Sequence, residues 1–252
     1  NSSKDIVDVL KLFNNLDVEQ IYPVLLALYK YADANKEYYK NSRFFEDIKR
    51  LWAFSLLAKY GKVVPSAYEN IFAKLCLEIK GKSYTSFKKE MDSFFKELVS
   101  TITGVESKFI KNFNSQYNHG RDKLSKFIFS DLYGREKEIK NYEIEHILPR
   151  GKEGDGDFQK WPKISETKYS GLKEYLEKIG NLTLIEKNIN RKVDNLSFEN
   201  KIIEYKKSEF KDNKSIKSYV KFKSNTPHKG VENRGKDLSK KIFKVYKEIS
   251  KK

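Results

Sequence analysis

Apolar residues recur at helical spacing through the first half of this chain, and near Lys137 that period gives way to strand-like alternation. The switch constrains the fold more than any other feature. An apolar stripe repeating every three to four residues is buried against other helices, whereas a segment with period two needs a partner strand. Ile21–Tyr29 starts a helix whose Pro23 is tolerable only in its first turn, and Phe44, Ile48, Leu51, Trp52, Phe54 and Leu57 mark the next one, ending near Gly61. Ser66 and Glu69 have the spacing of a capping box, Gly81 stops that helix, and Phe87, Met91, Phe94, Phe95 and Leu98 define another. Residues 118–133 give a further helix, broken at Gly134. Then Tyr142 and Ile144 alternate with Glu143 and Glu145, and Leu182–Ile185 forms a second strand. Between them lie a Gly- and Asp-rich loop (151–157) and a helix expected over 169–179. An Asn-rich turn is expected at 188–195, with a helix from Phe198 onward.

Composition narrows the partners. The formal charge is +16, and from Lys201 to Lys252 there are 17 Lys or Arg against 6 Asp or Glu. A cationic end beside the strand pair favours a polyanion, since each phosphate neutralised releases condensed counterions. The alternative is a lysine-rich solvated surface. Cys76 is the only cysteine, which excludes an intrachain disulfide and a thiolate zinc cluster, and its apolar helical setting reads as an inert buried thiol. The chain shows neither a membrane-length apolar run nor a signal pattern, so a reducing cytoplasm is expected. It begins with Asn rather than Met and is read as a fragment of a longer polypeptide.

The chemistry concentrates in three segments: Glu145-His146-Ile147-Leu148-Pro149, Gly180-Asn181-Leu182-Thr183-Leu184, and Asn188-Ile189-Asn190-Arg191-Lys192. A neutral imidazole takes a proton from water, while carboxylate and carboxamide oxygens hold a hard divalent cation. That combination suits phosphodiester cleavage, with His146 as general base and Glu145 and an asparagine as metal ligands. Adjacent strand residues point to opposite faces, so Glu145 and His146 address one phosphate only if the strand ends or kinks there; Pro149 fits such an ending.

In order and surroundings, YEIEHILPR (from Tyr142), KIGNLTLIEKNINRKVDN (from Lys178) and LSFENKIIEYKKS (from Leu196) resemble an HNH, or ββα-metal, nuclease. Within that superfamily they are most similar to the C-terminal nuclease domain of the GmrSD restriction family. The resemblance implies a mainly α fold: a helical domain over residues 1–135, then an HNH ββα-metal module with basic C-terminal helices over 136–252. It implies a metal-dependent DNA endonuclease, the nuclease part of a modification-dependent restriction or phage-defence protein. Mg²⁺, or alternatively Mn²⁺, is the expected cofactor. Double-stranded DNA is the expected partner, together with a separate N-terminal nucleotide-hydrolysing specificity domain whose phosphate-binding pattern is absent here.

The family pattern makes Asn181 a brace that fixes the His-bearing strand through side-chain to backbone hydrogen bonds, and its spacing favours Asn190 over Asn188 as ligand. Arg191, Lys192 and Lys201 are the expected phosphate contacts. Asn195 reads as a turn residue, His119 as structural, and His228 receives no role. Two other readings stand beside this one: a DNA-binding module with an idle nuclease site, and a partner-interaction domain in the N-terminal half.

Overall fold

Helix α4 (Arg43–Gly61) shows how the first half folds, because 14 of its 19 residues are buried and it has no solvent stripe of its own. Around it in sequence lie α1 (Ser3–Phe13), α2 (Tyr22–Ala34), α3 (Lys36–Lys40), α5 (Glu69–Glu78), α6 (Tyr84–Ser100) and α7 (Glu106–Gln116). Pro23 sits in the first turn of α2, where its missing N–H costs nothing. The Phe87, Met91, Phe94, Phe95 and Leu98 stripe of α6 is core. The capping box expected at Ser66 does not form: Ser66 lies in a 3-10 turn, Pro65–Ala67, and α5 begins after Tyr68. Cys76 is half-buried, and burial raises its thiol pKa, in keeping with an unreactive group.

The computed structural model describes residues 3–14, 16, 18–40, 42–118, 124–150, 171–194, 196–223 and 226–251. His119, Asn195, the loop at 151–157 and the start of the helix expected at Tyr169 lie outside them. The chain divides into two compact units, residues 1–110 with 243–252, and residues 111–242. No helix among the described residues is long and apolar enough to cross a membrane.

The second unit contains α8 (Leu124–Tyr133), β1 (Tyr142–His146), α9 (Lys173–Leu176), β2 (Leu182–Glu186), α10 (Lys187–Val193), α11 (Phe198–Tyr205), α12 (Lys211–Ser215) and most of α13 (Pro227–Lys251). The protein is thus mainly α, with one small strand–strand–helix module. Helix α8 packs against both strands, so this unit starts well before the change of period that set the sequence boundary at 135/136. The Asn-rich run expected as a turn is the helix α10. Ile189 and Val193 lie one turn apart and are both buried, and that packing outweighs the poor helix propensity of asparagine.

β1 and β2 pair antiparallel, from Tyr142 opposite Glu186 to His146 opposite Leu182. A two-stranded ribbon alone is marginal in water. Here Asn213 Nδ2 donates to the edge carbonyl Leu184 O at 2.9 Å, and the Glu186 carboxylate ties the end of β2 to Glu209 N at 2.7 Å and Ser208 Oγ at 2.9 Å. Ile185, Ile189, Val193, Phe198 and Tyr205 join Ile147, Leu148 and Leu176 in one core beneath the module.

Candidate active site

Past His146 one more backbone bond keeps the register, and the next N–H turns instead to the Asn181 side chain, which ends the ladder. Ile147 N donates to Asn181 O at 2.8 Å, and Leu148 N donates to Asn181 Oδ1 at 2.7 Å. The same carboxamide donates through Nδ2 to Leu148 O at 3.1 Å and Leu176 O at 2.8 Å. Asn181 is fully buried, and both ends of its amide are therefore satisfied inside the core. Arg234 holds the same corner from α13, its Nη1 donating to Gly180 O at 2.9 Å and Leu182 O at 2.6 Å. Burial lowers the guanidinium pKa, and the backbone carbonyls replace lost water at Nη1 only, since Nη2 is buried without a hydrogen-bond partner among the described residues. Gly180 lets α13 approach this closely: a Cβ there would lie 1.9 Å from Val231 O.

Glu145 and His146 take different partners. Glu145 is 7% exposed, and its Oε1 accepts from Lys201 Nζ at 2.6 Å and from the Tyr205 hydroxyl at 2.9 Å. Burial, then the Glu145 charge, raises the Tyr205 pKa, so the phenol remains a donor. Lys201 also donates to His146 O at 2.8 Å and is fully buried. Its ammonium therefore serves Glu145 and the strand end rather than the phosphate contact expected from sequence: a charge sealed in the core meets no DNA backbone. The expected alternation of β1 is altered for the same reason, since the ion pair allows Glu145 to be buried while Ile144 is only partly so.

The His146 side chain keeps 14% of its surface exposed, and its Nε2 lies 3.5 Å from Glu177 Oε2. Glu177, which follows α9, also pairs through Oε1 with Arg150 Nε at 2.8 Å. Sequence reasoning passed over both Glu177 and Arg150 as site residues. A carboxylate just beyond a helix end carries no motif, whereas Arg150 stood inside the YEIEHILPR segment and could have been considered.

Asn190 donates from Nδ2 to Glu143 Oε2 at 2.9 Å, while its Oδ1 is buried without a hydrogen-bond partner among the described residues. A carboxylate accepts only, so Glu143 fixes the amide orientation and leaves the oxygen uncommitted. Asn188 is exposed and turns its oxygen to the Ile189 N–H at 3.0 Å. Arg191 and Lys192 are exposed on α10 beside Asn190.

Glu145 and Asn190 are the side chains that could hold a divalent cation. Asn190 Oδ1 is an orphaned oxygen, and Glu145 accepts both its hydrogen bonds through Oε1, which leaves Oε2 to serve as a hard ligand. Among the described residues no group of three His, Cys, Asp or Glu is placed to hold a metal ion.

The model of the family described as GmrSD restriction endonucleases, C-terminal domain, matches residues 104–241. Comparison with the curated proteins and with the solved structures gave no match.

Proposed function

The chain belongs to the family of GmrSD restriction endonuclease C-terminal domains, and from that premise we propose that it is a metal-dependent DNA endonuclease of the HNH type. The observations that carry the reading are a solvent-reachable His146 at the braced end of β1 and an uncommitted buried oxygen on Asn190, whose amide is tied to the same strand through Glu143. His146 takes the proton from the water that attacks phosphorus. Asn181 holds the strand end, and so the ring, in place without touching substrate. Glu145 and Asn190 would hold the cation, the first oriented by Lys201 and Tyr205, the second by Glu143. When bound, the cation supplies positive charge to the phosphate and to the leaving 3′ oxygen. Arg191 and Lys192 meet the DNA backbone. Mg²⁺ is the proposed ion, with Mn²⁺ as substitute. The proposed setting is a modification-dependent restriction system directed against phage, where a separate nucleotide-hydrolysing domain selects the DNA.

A plasmid-nicking assay with Mg²⁺, Mn²⁺ or EDTA tests this. Wild type is expected to nick with either metal and not with EDTA, and His146→Ala is expected to lose cleavage while DNA affinity stays nearly unchanged. Equal nicking by the two proteins would refute the proposal, and binding without cleavage by wild type would favour an idle DNA-binding module.

A further inference from the structure

The ring nitrogen that meets Glu177 matters because a neutral imidazole carries its proton on one nitrogen and accepts on the other. We propose that Glu177 is a positioning residue for His146, accepting from Nε2–H and so fixing the tautomer and the ring plane of the imidazole. The inference rests on the reading of His146 as general base.

Three constraints converge on this pair. Asn181 ties Leu148, two residues after His146, to Leu176, the residue before Glu177, through a single buried carboxamide. The two segments that carry the ring and the carboxylate are therefore held together although His146 and Glu177 are 31 residues apart in sequence. Arg150 Nε lies 2.8 Å from Glu177 Oε1 as an ion pair without hydrogen-bond geometry, and Oε2 is the oxygen nearest the imidazole. Finally, Glu177 is only 19% exposed and stands beyond the C-terminal end of α9, where a negative charge gains nothing from the helix dipole. Its partners, not its helix, account for its position. The 3.5 Å separation is in keeping with catalytic hydrogen bonds, which are commonly long before substrate binds.

The test uses the ¹⁵N-labelled full chain and long-range ¹H–¹⁵N spectra under conditions where the imidazoles are neutral. Only three histidines are present, and the His146 signals are those lost in His146→Ala. Wild type is expected to show His146 as a single Nε2–H tautomer, and Glu177→Ala a mixture. Glu177→Gln, whose amide oxygen still accepts, is expected to retain most of the wild-type pattern and serves if the alanine variant does not fold. In nicking assays Glu177→Ala is expected to lower kcat about 10- to 100-fold with KM nearly unchanged, the usual effect of removing a partner that orients a working side chain. An unchanged tautomer in Glu177→Ala, or a mixture already present in wild type, overturns the proposal. Should wild type fail to cut DNA at all, the nuclease reading falls, and the tautomer comparison alone decides the pairing.

Discussion

Lys201 and Glu145 form an ion pair with side chains 1% and 8% exposed, so the ammonium has no water to fall back on and the carboxylate very little. Attraction in such a place roughly offsets the cost of desolvation, but removing one partner strands the other. Lys201→Met is accordingly expected to cost about 3–5 kcal/mol of unfolding free energy. Adding Glu145→Gln should recover a large part of it, because the pair is then removed together. Urea melts of the single and double variants measure this, and a single-variant loss below about 1 kcal/mol would mean that the pair stays hydrated in solution. The same bond fixes the strand end that carries His146, so this variant should also cut poorly.

At the scale of elements, the module depends on the approach of α13 to the start of β2. Gly180 makes that approach possible, since a Cβ would meet Val231 O at 1.9 Å and Gly235 N at 2.7 Å, both backbone atoms that yield only if the helix shifts. Gly180→Ala should therefore destabilise by about 2 kcal/mol or more, well beyond an ordinary surface substitution. Because Arg234 bonds the carbonyls on either side of Asn181, the shift should also disturb the brace and lower nicking. Thermal unfolding monitored by circular dichroism would show the effect, and a Tm equal to wild type would contradict the packing described for this corner.

For the whole molecule, the formal charge of +16 sets the response to salt. Binding to DNA should weaken steeply with ionic strength, and each phosphate contact contributes about −0.9 to the log–log slope. Replacing both Arg191 and Lys192 by Ala should lower the magnitude of that slope by about two while leaving sequence preference unchanged. Fluorescence anisotropy across a salt series checks it, and an unaltered slope would place the DNA on another face.

Much of this protein could be read from neighbouring residues alone. The stripe on α6 and Pro23 at the start of α2 follow from spacing within a turn, and the two strands stand where the sequence places them although neither is buried in strict alternation. The residue types suited to phosphodiester chemistry were equally visible, because their order along the chain carries the resemblance. Burial of Lys201, the orphaned oxygen of Asn190 and the meeting of His146 with Glu177 were not visible. Each joins residues tens of positions apart, and each depends on which side of a strand a helix covers. Asn190 lies on a helix because Ile189 and Val193 needed a core to enter, and Lys201 is neutralised because Glu145 was already turned inward. Local sequence sets which shapes a segment can take; the desolvation of charges, which decides their partners, is fixed only when the segments pack.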